Sequence, residues 1–346
     1  MAEKKEKYMK RLGDLKLISF IGSGGNTMGV YKGLIKLKNK NTGSFEEIDC
    51  VAKSFSNSQF RDKDFKTRYE REKDIGLKLS HPNIIKSFGE IKTKNNTYLI
   101  MEYANGGDLK SFLEYFNRSI DDIKIRIFLR QILEGILYLH ENFFMNRDVK
   151  LENVLLHFYD QEIYYKKDYR GKFIIAYEKL DYGKCKLKIC DLGFSKSFKT
   201  DDEHSIRNSL GHCEHTVLGT QGSMPKEVDS GNYDETFDFW SLGILVLYLI
   251  EGCTEKNTED GLEIEIKKEI IFSLELREVI DFLLKENPLD RKACVNLLKL
   301  DFFKKDNLTY VDSRQFEEFD KNRKLFQINK SEYTDYESIY SKIKII

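Results

Sequence analysis

Hydrophobic and polar residues alternate along the first hundred positions with the period of β-strands. Alternating runs predict strands at Leu15–Ile21, Val30–Leu37, Ile48–Phe55 and Thr97–Tyr103. The glycine-rich break GSGGN, which begins at Gly22, predicts a hairpin between the first two strands. A charged segment between the last two strands predicts one helix, at Arg61–Leu79. The first part of the chain is therefore predicted to be a sheet with one helix.

Beyond residue 104 the hydrophobic positions recur with a helical period. They predict helices at Ser111–Phe116, Ile125–Phe144 and Phe239–Ile250, and two or three amphipathic helices within Glu265–Leu300. The apolar run in the third of these helices is about 12 residues long, which is too short to cross a bilayer. The pattern predicts an α+β chain with a mainly helical second part and no membrane span.

Composition narrows the class of protein. The chain has 346 residues, 40% of them hydrophobic, which suits two lobes or one large domain. Lys+Arg and Asp+Glu both total 57, so no net charge attracts nucleic acid or an anionic membrane. The segment MAEKKEKYMKR has no apolar core of a signal peptide, and the six cysteines form no CxxC pair. We therefore expect a cytoplasmic or nuclear protein with reduced cysteines.

Two clusters suggest chemistry. Met145–Leu156 (MNRDVKLENVLL) follows a long predicted helix and places Asp148, Lys150 and Asn153 at fixed offsets. A carboxylate can orient a hydroxyl nucleophile, an ammonium can hold a phosphate, and an amide oxygen can bind magnesium, so the spacing suits phosphoryl transfer. The loop GHCEH at Gly211 offers three possible zinc ligands but has no second cluster, which makes zinc the weaker alternative.

Lys53 ends an otherwise apolar strand and would be costly to bury without an anionic partner. Glu72, nineteen residues later on the predicted helix, is a candidate partner. The alternative is that both are solvated charges, since this helix is dense in charged residues. The sequence positions alone leave both interpretations open.

The segments RDVKLEN and KLKICDLG, together with the Lys53–Glu72 spacing, resemble the eukaryotic protein kinase family. The resemblance implies a two-lobed α+β fold, with a small β-rich N-lobe carrying one helix and a larger, mainly helical C-lobe. It covers about residues 13–303. The implied parts are a basic arm (1–12), the N-lobe (13–103), the C-lobe (104–303) with an insertion at about 157–184, and an aromatic, charged tail (304–346).

The resemblance also implies ATP and Mg²⁺ as cofactors and a set of site residues. The implied catalytic residues are Asp148, Lys150, Lys53, Glu72 and Thr220. The implied nucleotide-binding residues are Ile21, Gly22, Gly24, Val30, Val51, Lys53, Met101, Glu102, Ala104, Asp108 and Leu155. The implied metal ligands are Asn153 and Asp191. Within this set, the resemblance implies that residues 102–104 bind the adenine edge through their backbone, that Leu155 lies below the adenine, and that Asp108 meets the ribose hydroxyls. Asp108 can also be a helix N-cap, and both roles can hold at once.

The resemblance implies transfer of the γ-phosphate of ATP to serine or threonine hydroxyls of protein substrates. Thr220, four positions after Thr216, favours serine/threonine specificity. Phosphorylation of Thr216, bound by Arg147, would regulate the enzyme and implies an upstream activating kinase. The alternative is that Thr216 is an ordinary loop residue.

Several positions depart from the family pattern. The third glycine of the nucleotide loop falls on Thr27, Asn146 replaces the usual histidine, and Gly76 stands where relatives have an apolar residue that aligns the lobes. The sequence PKE, ending at Glu227, stands for the usual APE. These departures keep open a catalytically impaired, kinase-like scaffold that binds nucleotide or partners.

Overall fold

A computed structural model describes residues 10–24, 27–39, 43–116, 120–197, 225, 227, 234–250, 253–258, 261–266, 273–304 and 326–327. The chain divides into two compact units, residues 1–103 with 312–346, and residues 104–311. Each unit has its own hydrophobic core. The predicted limits of the arm, insertion and tail remain predictions.

In its described residues, the first unit is an antiparallel sheet with one α-helix. Its elements are β1 (Lys10–Leu12), β2 (Leu15–Gly22), β3 (Gly29–Asn39), β4 (Phe45–Ser56), α1 (Lys63–Lys78), β5 (Ser87–Lys92) and β6 (Asn96–Glu102). The strands lie in the order β1-β2-β3-β4-β6-β5, and a short strand, Phe326–Gln327, pairs with the end of β3. The apolar side chains of the alternating strands form the core, as the period-two pattern predicts.

Helix α1 begins two residues later than the sequence pattern suggests. The carboxylate of Asp62 accepts hydrogen bonds from the amides of Asp64 and Phe65, at 2.8 and 3.3 Å, and so caps the helix. At the other end, the buried ammonium of Lys86 donates to the carbonyls of Leu77 and Leu79, at 2.8 and 2.9 Å. Both ends of the helix that carries Glu72 are therefore fixed by side chains.

The second unit is mainly helical. Its elements are α2 (Leu109–Tyr115), α3 (Asp122–Glu141), β7 (Phe144–Met145), β8 (Val154–Phe158), β9 (Tyr165–Lys167), β10 (Phe173–Ile175), β11 (Cys185–Ile189), β12 (Lys196–Ser197), α4 (Thr236–Leu249), β13 (Cys253–Thr258), β14 (Gly261–Ile266), α5 (Leu274–Leu283), α6 (Pro288–Arg291) and α7 (Asp301–Lys304). The strands form four antiparallel pairs: β7–β12, β8–β11, β9–β10 and β13–β14. With the first unit, this confirms the predicted α+β class.

Two sequence predictions for the second unit are wrong in detail. The long helix α3 ends at Glu141, not at Phe144, because Phe143 adopts a left-handed backbone with φ of 64°. Residues 253–266, whose end was predicted to be helical from Glu265, contain the β13–β14 hairpin. Periodicity does not separate a short strand from a helical turn, which explains the second error.

The insertion between β8 and β11 contains the β9–β10 hairpin and two 3₁₀ turns, Tyr177–Lys179 and Tyr182–Lys184. Cys50, Cys185, Cys190 and Cys294, whose side chains are described, carry free thiols. No helix in the described part of the chain is both long enough and apolar enough to cross a membrane.

Candidate active site

In the first unit, Lys53 on β4 and Glu72 on α1 form an ion pair. The Nζ atom of Lys53 lies 2.5 Å from Oε1 of Glu72. Glu72 is buried and Lys53 is largely covered, so the pair is shielded from water and interacts more strongly than a surface pair. The structure therefore favours the paired interpretation of these charges over the solvated one.

The glycine-rich turn is closed by Thr27, the residue at the position of the missing third glycine. Its hydroxyl donates to the carbonyl of Gly24 at 2.8 Å and accepts from the Gly24 amide at 3.2 Å. A Cβ atom added at Gly22 or at Gly24 would meet no atom within 4 Å. Gly25 lies outside the described residues. A side chain thus holds this turn at the position where the family pattern has a glycine.

The other predicted nucleotide residues of the first unit lie on three strands. Val30 on β3 pairs with Lys53, and Val51 on β4 pairs with Met101 on β6. Met101 is buried. Ile21, near the end of β2, is half exposed, at 52%. These placements put an apolar surface beside the lysine.

Glu102 is the last residue of β6, and both its backbone amide and its carboxylate form hydrogen bonds with Lys86. Its amide donates to the carbonyl of Lys86 at 2.8 Å, and its carboxylate accepts from the Lys86 amide at 3.2 Å. These two contacts fix the strand end at which the predicted adenine-binding segment begins.

In the second unit, residues 104–108 form a segment that we name the connector. Ala104 begins it and Asp108 ends it. The carboxylate of Asp108 accepts from the amide of Ser111 at 2.8 Å and from its hydroxyl at 3.1 Å, which caps α2. The backbone of Asp108 also forms a bridge with Leu155 on β8. The predicted ribose ligand and the predicted adenine contact are therefore neighbours.

Asp148, Lys150 and Asn153 form a hydrogen-bonded trio. Nζ of Lys150 donates to both carboxylate oxygens of Asp148, at 2.9 Å each. Nδ2 of Asn153 donates to the Asp148 carboxylate at 2.6 Å and to its carbonyl at 3.0 Å. The three groups predicted from spacing are in contact.

The carboxylate of Asp148 is buried, and this burial raises its pKa to about 6. Burial penalises the charged form. The nearby charge of Asp191 also raises the pKa, while Lys150 and Asn153 oppose the shift. The hydrogen bonds from Lys150 and Asn153 lower the pKa of Asp148 by less than its removal from water raises it.

Asp191 follows β11 and precedes a 3₁₀ turn, Leu192–Phe194. Its φ of 58° is left-handed, which is uncommon for a residue other than glycine. The amide of Cys190, the preceding residue, donates to the carbonyl of Asn153 at 2.9 Å. This bond joins the chain next to Asp191 to the other predicted metal ligand.

The segment Met145–Leu156, which contains the trio, is anchored by a buried carboxylate that lies 92 positions after Asn146 in the sequence. Asp238 on α4 accepts from the amides of Asn146 and Arg147, at 2.7 and 2.8 Å. His140 Nε2 lies 2.8 Å from the same carboxylate, a contact that the sequence analysis missed. Asn146 Oδ1 accepts from the amide of Asp148 at 3.0 Å. The residue that replaces the family's histidine thus still supports the aspartate.

Arg147 has a left-handed backbone, with φ of 67°, and its Nε donates to the carbonyl of Phe194 at 2.6 Å. Its predicted phosphate partner, Thr216, lies outside the described residues, as does Thr220. So does the zinc alternative around Cys213. Arg291 and Glu227, the last residue of the PKE sequence, form an ion pair.

Comparison with known proteins identifies the family. The model of the protein kinase domain matches residues 16–303. An Aurora kinase of Yarrowia lipolytica is 28% identical over 242 residues, which cover 70% of this chain and 54% of that protein. The serine/threonine-protein kinase PLK4 of Aedes aegypti is 24% identical over 304 residues, which cover 85% of this chain and 34% of that protein. Aurora kinase A-A of Xenopus laevis is 29% identical over 237 residues, covering 66% and 49%.

The chain belongs to the protein kinase family, since the family model spans most of its length. It spans between 34% and 54% of the length of the three relatives. The roles of the individual site residues remain predictions that the geometry supports.

Proposed function

We propose that this chain is an ATP- and magnesium-dependent serine/threonine protein kinase. The observation that carries the proposal is the trio of Asp148, Lys150 and Asn153, in which base, cation and amide are in contact. A binding scaffold does not require this arrangement, whereas phosphoryl transfer uses each group.

The donor set suits magnesium. Within the described part of the chain, the side-chain hydrogen bonds of Asn153 run from its Nδ2 to Asp148, which fixes the orientation of the amide and leaves its oxygen for a ligand. Asp191 would supply a carboxylate oxygen, and Mg²⁺ binds few protein oxygens. When bound, the ion would neutralise charge on the ATP phosphates.

The remaining residues have separate tasks. Lys53, oriented by Glu72, would bind the α- and β-phosphates. Asp148 would accept a hydrogen bond from the substrate hydroxyl and orient its oxygen. Lys150 would stabilise the negative charge on the phosphoryl oxygens during transfer. Asp148 acts as a carboxylate, the form that its hydrogen bonds from Lys150 and Asn153 favour, although burial raises its pKa to about 6 and so brings protonation closer to neutral pH.

Serine/threonine specificity is supported by the DVKLEN sequence, by Thr220 and by the similarity to PLK4, which is a serine/threonine-protein kinase. We further propose that phosphorylation of Thr216 by an upstream kinase activates the protein through Arg147. The rival function, a kinase-like scaffold, is favoured by Gly76 and Asn146, which replace residues that support the active state in relatives.

Transfer of labelled γ-phosphate from ATP decides between the two functions. The wild-type protein, with magnesium, should label itself and a basic serine-containing protein. Asp148→Asn and Asp191→Asn should abolish the label, while the exposed control Asp290→Asn should retain it. Label on tyrosine alone would contradict the specificity. Retained nucleotide binding without transfer, even after treatment with an upstream kinase, would favour the scaffold.

The regulatory proposal needs its own experiment. Thr216→Ala should lower the rate of transfer to an added substrate, and Arg147→Lys should reduce the activation that an upstream kinase produces, because lysine cannot bind the phosphate with two parallel bonds. Phosphopeptide mapping identifies the modified residue. Full activation of Thr216→Ala by the upstream kinase would contradict the proposal.

A further inference from the structure

The insertion contacts the connector through one buried tyrosine. The hydroxyl of Tyr177 donates to the carbonyl of Gly106 at 2.8 Å, and only 3% of Tyr177 is exposed. Gly106 is tightly enclosed, since a Cβ atom there would lie 2.7 Å from the carbonyl oxygen of Leu156. Gly107 has a φ of 72°, and a Cβ atom there would lie 3.2 Å from the Tyr177 hydroxyl. The connector therefore fits closely between β8 and the insertion.

Strand β8 holds the other side of the connector through four hydrogen bonds. The Gly106 amide donates to Leu156, and the Leu156 amide donates to Gly107, both at 2.8 Å. The side chain of Asn105 donates to the carbonyl of Phe158 and accepts from its amide, again at 2.8 Å each. The Gly106 carbonyl is left for Tyr177, which completes the support of the segment.

Tyr177 also packs on the helix that follows the connector. Its ring lies edge-on to Phe112 and Tyr115 of α2, with centroids 5.1 and 5.2 Å apart. Along the chain, Asp108 lies between Gly106 and these two rings of α2, because it follows Gly107 and caps the helix. Tyr177 thus supports the chain on both sides of the predicted ribose ligand.

We propose that Tyr177 is a positioning residue for nucleotide binding, which holds the connector so that Asp108 meets the ribose hydroxyls of ATP. This inference rests on the proposed function and gives the insertion a role in it. Tyr177 acts through Gly106 and Asp108 and does not touch the reacting atoms.

The variant Tyr177→Phe separates this role from packing. It keeps the ring against Phe112 and Tyr115 and removes only the hydrogen bond to a buried carbonyl. That carbonyl then lacks a donor, so the connector shifts to find one. The ribose contact, which depends on the position of Asp108, is the interaction expected to weaken.

The test compares the dissociation constants of ATP and 2′,3′-dideoxy-ATP, measured by calorimetry. For Tyr177→Phe we expect ATP to bind about five- to tenfold more weakly and dideoxy-ATP, which lacks the ribose hydroxyls, to bind unchanged. In kinetic assays KM for ATP rises by a similar factor, while kcat stays within about twofold.

Tyr182→Phe is the matched control. It lies in the same insertion and loses the same kind of bond, but its hydroxyl donates to the carbonyl of Tyr177, at 2.8 Å, and not to a carbonyl of the connector. We expect its affinity for both nucleotides to match the wild type.

Three outcomes would overturn the inference. Either Tyr177→Phe weakens the binding of ATP and of dideoxy-ATP equally, or Tyr182→Phe weakens the binding of ATP as much as Tyr177→Phe does, or the wild type binds both nucleotides equally. If the wild type binds ATP but transfers no phosphate, the proposed function fails, and the comparison of binding constants still decides this inference.

Discussion

Lys150 donates to both carboxylate oxygens of Asp148, at 2.9 Å each, and yet the pKa of Asp148 is raised to about 6. Burial of the carboxylate outweighs the attraction of the lysine, because the lysine side chain is one-third exposed and the carboxylate is not. At neutral pH the protein therefore holds a charged carboxylate in a buried position that favours the protonated form.

This shift makes the stability of the metal-free protein depend on pH. Asp148 binds its proton more tightly in the folded state than in the unfolded state, whose pKa is near 3.8. Its contribution to stability is therefore lost as the pH rises from about 4 to 6. We expect Asp148→Asn to be more stable than wild type at pH 7.5, by up to about 3 kcal/mol, and about equally stable at pH 4.

Urea unfolding with a chelator at both pH values measures this difference. The exposed substitution Asp290→Asn controls for the removal of one negative charge from the protein. A stability gain of Asp148→Asn that is the same at both pH values would contradict the prediction.

The Lys53–Glu72 ion pair predicts a specific loss of activity. Glu72→Gln removes the charge that orients Lys53, and a small displacement of the lysine should lower kcat/KM by about two orders of magnitude. Glu70→Gln is the matched control, because Glu70 lies on the same helix and is half exposed, 3.9 Å from Lys66. Steady-state kinetics of Glu70→Gln should show no more than a twofold change in kcat/KM, because exposed ion pairs contribute little energy. Equal loss in both variants would indicate a general effect on α1.

Position 76 on α1 is predicted to require glycine, because its neighbour Ser87 leaves no room for a side chain. A Cβ atom there would lie 2.2 Å from the Oγ atom and 2.9 Å from the Cβ atom of Ser87 on β5. Alanine favours a helix by about 1 kcal/mol over glycine, but this overlap costs about 1 to 3 kcal/mol. We expect Gly76→Ala to lower the melting temperature and the activity.

Ser87→Gly should rescue Gly76→Ala, because it removes both overlapping atoms and leaves the Ser87 amide nitrogen at 3.5 Å. Melting curves and kinetics of the two single variants and the double variant measure the coupling. A double variant no better than Gly76→Ala would exclude this overlap as the cause.

Asp238 should be sensitive to the loss of its charge. It is fully buried and accepts the amides of Asn146 and Arg147. The side chain of asparagine has one acceptor oxygen where that of aspartate has two. One of the two buried backbone amides, or His140, would therefore lose its partner. We expect Asp238→Asn to lower the free energy of unfolding by about 2 to 4 kcal/mol and to reduce kcat. Unfolding titrations and kinetics below the transition check this. Unchanged stability would show that the loop is held by other contacts.

Local patterns in the sequence determined the elements and the trio. Strand alternation and helical spacing need only neighbouring residues, and Asp148, Lys150 and Asn153 lie within six positions, so the chain itself limits their separation. The pairing of Lys53 with Glu72 could be proposed but not decided, because it depends on how β4 and α1 pack.

Only the tertiary structure decided the features that join distant parts of the chain. Tyr177 and Gly106 are 71 positions apart, and Asp238 and Arg147 are 91 apart. The raised pKa of Asp148 likewise reflects its burial in the folded chain. Such contacts and desolvation arise from packing, which no local pattern encodes. The sequence therefore determined which chemical groups this kinase-family chain carries, and folding decided which of them are buried, paired and held in place.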